Sequence, residues 1–316
     1  MITPFLLQND TSEKKFYIYK KKAQDLYKEL KSYRQAENYV HTVWKNYVDE
    51  LEKYFLSDFD IGFLRHPLIL NTMFVWGVSP RVYMELNFLK NYWTKDKLSS
   101  YLRENSIGKP ILGNIEYSTS SNSVHHLYHL SLFECKTKVK LGGIKSVVEW
   151  GGGYGNMAKI FRRINRDVTY TIIDLPLFTC IQYIYLSCIF GEERIKVIKE
   201  NEQNLKGNFN LIPINQLEQN SRVSFLGCDL FISTWGLSES TRYAQNYVIE
   251  KDFYSARNIL FAFHEKYPRF PDYERIMARL VKEREYIYSG KIPFSSIDRY
   301  AFFGSRLGPK SNSAIE

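Results

Sequence analysis

Ser146-Val-Val-Glu149-Trp150-Gly151-Gly152-Gly153-Tyr154-Gly155-Asn156 is the stretch on which the fold turns. The run up to Trp150 is apolar apart from Ser146 and Glu149 and reads as a short buried strand, while the residues from Asn156 to Asn165 carry helical spacing. Glycines at such a junction permit a tight turn and let a ligand approach the backbone. The helix that follows offers free N–H groups to a polar or anionic ligand. Strand, glycine loop and helix in this order predict an α/β protein with a ligand site at the loop.

Downstream of Lys145 short β-branched or aromatic runs alternate with helical stretches, as in a sheet wound with helices on both faces. The predicted strands are Ser146 to Trp150, Val168 to Ile173, Asp229 to Thr234 and Asn258 to Phe263, with one more at either Ile195 to Ile198 or Phe209 to Ile212. Asn156 to Asn165, Leu177 to Phe190, Glu239 to Tyr254 and Asp272 to Arg284 read as helices, and Tyr286 to Tyr288 with Tyr300 to Phe303 as a terminal hairpin.

Upstream the texture is helical. Between Ala23 and Phe55 apolar residues recur at Leu26, Leu30, Tyr33, Ala36, Val40, Trp44, Tyr47, Leu51 and Tyr54, the spacing of one long amphipathic helix with room for a single break. Residues 66 to 107 continue in helical character, punctuated by Pro67 and Pro80 and closed by the turn Ser106-Ile-Gly-Lys-Pro110. A polar stretch, Tyr117 to Ser121, precedes a helix from Val124 to Cys135 for which Ser121 or Ser123 is the expected cap. The organisation expected is a helical region over 1–110, acting as a cap or a dimerisation surface, followed by a ligand-binding α/β domain over 111–316.

At 316 residues with 44% hydrophobic and 16% aromatic content, the chain can bury a core and is neither disordered nor low-complexity. The net charge of +9 is spread along the chain, its densest cluster being Lys20 to Lys22, so no specific nucleic-acid partner is expected. Four cysteines without C-x-x-C spacing argue against a zinc ribbon or a disulfide framework. The first ten residues are too short an apolar stretch for a signal peptide, and the most apolar segment, Leu175 to Phe190, falls short of the roughly 20 residues needed to span a bilayer. A cytoplasmic location is expected.

Two cofactors compete for the glycine loop. Gly153-Tyr-Gly155-Asn-Met-Ala158 satisfies the G-x-G-x-x-A dinucleotide pattern, and Asp174 ends the second strand about 20 residues later. A carboxylate at that strand tip can accept from both hydroxyls of an adenosine ribose, whichever cofactor carries it. Tyr247-Val-Ile-Glu-Lys251 has the Tyr-x-x-x-Lys spacing that resembles the catalytic pair of short-chain dehydrogenases, which keeps an NAD(P)-dependent oxidoreductase in view. The G-x-x-x-G-x-G spacing of that group is not met, because Met157 stands where its last glycine belongs.

Glu149-x-Gly151-x-Gly153-x-Gly155 resembles the first motif of class I S-adenosylmethionine-dependent methyltransferases. Asp174 matches their ribose-binding acid, and Asp229-Leu-Phe-Ile-Ser-Thr-Trp235 sits where their fourth strand belongs. Asp229 to Glu239, with Trp235-Gly-Leu-Ser-Glu239, also resembles a bacterial group of sugar O-methyltransferases associated with polysaccharide and glycoside decoration. The resemblance implies a Rossmann-like seven-stranded sheet and S-adenosyl-L-methionine as cofactor. It also implies a sugar hydroxyl as acceptor, on a polysaccharide precursor, nucleotide sugar or glycoside. Cofactor contacts are implied at Glu149, Gly151, Gly153, Tyr154, Gly155, Asn156, Asp174, Leu175 and Trp235.

A sugar hydroxyl is a poor nucleophile until its proton is removed, so a general base is expected near the strand tips. Glu239, after the fourth strand, and His264, after the fifth in Leu260-Phe-Ala-Phe-His264, are the candidates. His125, His126 and His129 share a helix face, but no H-E-x-x-H motif accompanies them, so packing or acceptor binding is expected and no metal. A non-catalytic binding protein on the same fold is the third reading.

Overall fold

The computed structural model describes residues 5–32, 38–73, 80–200, 202–217, 227–265, 270 and 273–307. The chain opens with α1 (Phe5–Ser32), α2 (Thr42–Leu56), α3 (Pro67–Met73), α4 (Pro80–Tyr92), α5 (Lys95–Leu102) and α6 (Ser121–Thr137). Then come β1 (Ser146–Trp150), α7 (Asn156–Ile164), β2 (Thr169–Asp174), α8 (Pro176–Phe190), β3 (Ile195–Val197) and β4 (Phe209–Pro213). The chain continues through β5 (Leu230–Thr234), α9 (Arg242–Glu250), α10 (Asp252–Ser255), β6 (Asn258–His264), α11 (Tyr273–Glu283), β7 (Arg284–Lys291) and β8 (Asp298–Arg306).

The eight strands form one sheet in the order β3-β4-β2-β1-β5-β6-β8-β7. The six strands from β3 to β6 run parallel, and β8 is antiparallel to both its neighbours. From β1 the chain moves outward to β2 on one side and later returns to β5 on the other. The order reverses between β1 and β5, and open α/β sheets bind ligands at the carboxyl ends of such strands. The fold is thus α/β and Rossmann-like, with N-terminal helices before the sheet.

Several local expectations are corrected. The sheet has eight strands instead of seven, because Ile195–Val197 and Phe209–Pro213 are both strands and pair with each other in parallel. The helix expected through Ala23 to Phe55 with room for one break is two helices, α1 starting earlier at Phe5 and ending at Ser32 and α2 starting at Thr42; Tyr33 and Ala36 lie outside the described residues, as do Met1 to Pro4 and Asp272. The cap of α6 is Ser120, whose hydroxyl accepts from the Ser123 amide at 3.1 Å; Ser120, Ser121 and Ser123 all offered the same chemistry. The helix expected over Glu239 to Tyr254 begins only at Arg242 and breaks at α10, where Phe253 and Tyr254 take left-handed conformations.

Helix α8 is apolar on nearly every side and buried from Leu177 to Ser187, so it must be covered twice. The sheet covers one side and α1 the other. Phe16 of α1, Phe59 and Phe63 stack at ring separations of 4.8 to 6.2 Å, and Phe63 meets Tyr185 of α8 edge-on at 6.3 Å. One apolar cluster runs from these residues through α6 to the sheet face.

A buried ion pair joins the same layers. Lys159 of α7 is fully buried and donates to Glu104 at 2.6 Å, while Ser120 and Ser123 of the α6 entry also donate to that carboxylate. Burial drives the Lys159 ammonium down to about 8 against the pull of Glu104. Removing one partner leaves the other charged and unpaired in a dry site. Lys159→Met should therefore cost about 3–5 kcal/mol in urea unfolding, and adding Glu104→Gln should recover part of that loss. Equal stability of the wild type and Lys159→Met would refute this account.

Candidate functional site

The loop after β1 is built by hydrogen bonds that fix each peptide. Gly151 donates to Ile173 at 2.9 Å, Gly155 donates to Gly152 at 2.9 Å, and Gly153 donates to Asp174 Oδ2 at 3.1 Å. Gly151, Gly153 and Gly155 have φ of +79°, +56° and +94°, which side chains disfavour. Gly152 is constrained by space instead: a Cβ there would meet Ile172 Cγ2 at 2.6 Å.

A second loop, after β5, lies directly against the first. A Cβ on Gly236 would meet the Trp150 carbonyl oxygen at 2.7 Å and Gly151 Cα at 3.0 Å, so the two backbones touch. Trp235 precedes it in a left-handed conformation, φ +65°, which is costly for an aromatic residue. Its amide donates to Ala262 at 2.7 Å and its indole donates to Asp298 Oδ1 at 2.9 Å, and these hold it there. Trp150 donates from its indole to Ser240 Oγ at 3.0 Å, a second tie between the loops.

Both loops and the N-terminal helices surround one cavity of about 620 Å³, within the size range of small-molecule sites. Of the expected contacts, Glu149, Gly151, Gly153, Tyr154, Asp174, Leu175 and Trp235 line it together with Glu239 and His264. Gly155 and Asn156 do not. Gly155 is the N-cap of α7, and Asn156 is buried behind the loop, bonded to His126 Nδ1 at 3.0 Å. The helical region contributes Tyr39, His41, Trp44, Met73 and Arg81 to the walls.

At one end, two buried carboxylates flank the glycine loop. Burial raises Glu149 to about 8, although the Tyr170 hydroxyl donates to it at 2.9 Å. Burial likewise raises Asp174 to about 7, against donations from Leu175 N and Gln182 Nε2, both at 2.8 Å. Leu175, Phe178 and Ile214 add an apolar wall beside Asp174.

At the other end, His264 stands between two acids. Its Nδ1 donates to Asp298 Oδ1 at 2.6 Å and its Nε2 donates to Glu239 Oε1 at 2.9 Å. A carboxylate only accepts, so both ring nitrogens carry protons and the ring is an imidazolium. Burial alone would lower its pKa, but the bonds to Asp298 and Glu239 outweigh burial and raise it to about 9. Asp298 also accepts from Ser295 Oγ at 2.6 Å and, burial notwithstanding, is held below its usual range. Sequence reading missed Asp298: it opens β8 and faces His264 only through the antiparallel register of β6 and β8.

The three histidines of α6 have separate duties. His125 and His126 line the cavity, while His129 lies deeper and bonds Tyr300 at 2.6 Å. Among the described residues no group of three His, Cys, Asp or Glu side chains is placed to hold a metal ion, and no helix is long and apolar enough to cross a membrane. Tyr247 and Lys251, the dehydrogenase-like pair, lie outside the cavity, with the Tyr247 ring against Tyr39 at 6.0 Å.

The raised His264 value fixes a sign. A group whose folded pKa lies above the ordinary 6.5 stabilises the fold fully below pH 6.5 and loses that contribution as pH rises through about 9. Ring-nitrogen NMR should find His264 protonated well above pH 7, and the wild type should lose stability relative to His264→Gln between pH 6.5 and 9. A titration midpoint near 6.5 would contradict the two-acid geometry.

No protein-family model matches the chain, and no curated protein sequence matches it. Among solved structures it is similar to the methyltransferase domain of bacterial CtHen1-C, with 12% identity, a TM-score of 0.41, and coverage of 57% of this chain and 98% of that one. It is similar to the N-methyltransferase NodS from Bradyrhizobium japonicum WM9 in complex with S-adenosyl-L-homocysteine, at 13% identity and TM-score 0.40, covering 57% and 85% of the two chains. The mitomycin 7-O-methyltransferase MmcR shares 11% identity at TM-score 0.39, with coverage of 72% and 69%. With TM-scores this low, these likenesses assign neither an activity nor a residue role to this chain.

Proposed function

We propose that the protein is an S-adenosylmethionine-dependent O-methyltransferase whose acceptor is a sugar hydroxyl. The observation that carries the reading is the pair of buried carboxylates, Glu149 and Asp174, lining the glycine-loop end of the cavity. A dinucleotide would bring a pyrophosphate, an anion, against them. S-adenosylmethionine brings an ammonium and a sulfonium, and a cation beside a buried carboxylate favours its charged form. The residues fit that cofactor: Asp174 for the ribose, Leu175, Phe178 and Ile214 for the adenine, and the loop of Gly151 to Gly153 for close backbone approach.

When bound, the cofactor supplies an electrophilic methyl group on sulfur. The chain's own residues align the acceptor oxygen and take its proton. Glu239 is the proton acceptor, with Asp298 and the His264 imidazolium fixing its orientation. His264 itself, with both nitrogens occupied by carboxylates, acts as a positioning residue. Asp174, Leu175 and the loop of Gly151 to Gly153 would hold that cofactor with its methyl group toward the acceptor oxygen, and Glu239 would take the hydroxyl proton. Residues 1–110 serve as the cap that closes the acceptor half.

Calorimetric titration with S-adenosylhomocysteine and, separately, NADH tests the cofactor. The first should bind, with Asp174→Ala weakening it at least tenfold, and binding of NADH alone would overturn the reading. With an acceptor found by transfer of labelled methyl to a sugar panel, Glu239→Gln should lose roughly 10²–10⁴-fold in turnover while still binding S-adenosylhomocysteine. Full turnover in that variant would remove Glu239 as the base.

A further inference from the structure

The cavity wall formed by α4 and α6 carries polar groups that proton removal and cofactor binding do not use. Arg81, in the first turn of α4, lines the cavity half-buried and has no hydrogen-bond or ion-pair partner among the described residues. Its charge is felt inside. His129 is driven well below the usual imidazole range by burial first, then by His125, His126 and Arg81.

One turn further along α4, Glu85 is fully buried and bonds His125 Nδ1 at 2.6 Å. That bond fixes the ring with Nδ1 toward Glu85 and leaves Nε2 as its second hydrogen-bonding atom. His125 is 1% exposed and lines the cavity, and its Nε2 has no partner. Trp235 stacks on the ring at 5.9 Å and His129 meets it at 4.1 Å, so the imidazole is locked in this orientation. A buried ring held so firmly with Nε2 unmatched is built to hydrogen-bond a ligand.

We propose that this end of the cavity recognises an acidic sugar, its anionic group held by the Arg81 guanidinium and a neighbouring hydroxyl hydrogen-bonded to His125 Nε2. The guanidinium fork matches a carboxylate or a phosphate through two parallel N–H donations, and both are carried by common sugar derivatives. A neutral sugar would satisfy His125 and leave Arg81 without a counter-charge. The inference rests on the methyl-transfer reading only in naming this ligand the acceptor.

The test titrates the full chain, with and without S-adenosylhomocysteine, using D-glucuronate, glucose 1-phosphate and glucose as probes. At least one acidic sugar should bind tenfold or more tightly than glucose, and the arm that binds identifies carboxylate or phosphate as the anion. Arg81→Gln should abolish that preference, Arg81→Lys should retain part of it because charge remains while the fork is lost, and S-adenosylhomocysteine affinity serves as the folding control. Equal binding of all three sugars, binding of none, or an undiminished preference in Arg81→Gln overturns the proposal. Anion preference without S-adenosylhomocysteine binding would overturn the methyl-transfer reading and leave this subsite standing; the reverse pattern would overturn the subsite alone.

Discussion

Everything in the site depends on two backbones being allowed to touch. At the point where strand order reverses, the loop after β1 and the loop after β5 meet through Gly151 and Gly236, at a spacing that leaves no room for a Cβ. That contact fixes where Trp235 emerges, and Trp235 in turn fixes Asp298 through its indole. From Asp298 the chain of bonds passes to His264 and then to Glu239. A side chain at either glycine would separate the loops and misplace acids that are remote in sequence.

Around this contact the protein sorts charge by position. The carboxylates of Glu149 and Asp174 are so deeply buried that burial raises both despite the neutral donors that bond them. Asp298 is only half-buried and is held low, because a cationic ring, an indole and a hydroxyl all donate to it. The same residue type therefore behaves oppositely at two places in one site: neutral donors do not offset the deep burial of Asp174, whereas shallower burial and a cationic donor keep Asp298 low. Helix α6 connects the ends. It presents His125 to the cavity, ties His126 to the helix behind the glycine loop, and anchors His129 on β8 through Tyr300.

Four of the six parallel strands, β1, β2, β5 and β6, were legible as short runs of apolar or β-branched residues, and β1 matches its expected span from Ser146 to Trp150, whereas β3 and β4 read as alternatives for one strand. The loop positions of Glu239 and His264 followed from the same reading. Their partners did not. Asp298 is 34 residues from His264 and looks like an ordinary turn acid until the antiparallel pairing of β6 and β8 is known. Glu104, Lys159 and Glu85 belong to types that sit on surfaces when unpaired, and only tertiary packing reveals that their side chains are buried. Single-residue periodicity cannot report a partner that arrives from another element.

The cavity has a thermodynamic consequence of its own. Loop, strand tips and helical wall enclose one undivided space, from Asp174 and Leu175 through Trp235 to Arg81. Two ligands sharing it each form part of the surface the other meets. Whatever factor the first adds to the affinity of the second is returned by the second to the first, because linkage between binding free energies is reciprocal. The two occupancies are therefore a single coupled equilibrium, and the dissociation constant of either ligand has meaning only alongside the concentration of the other.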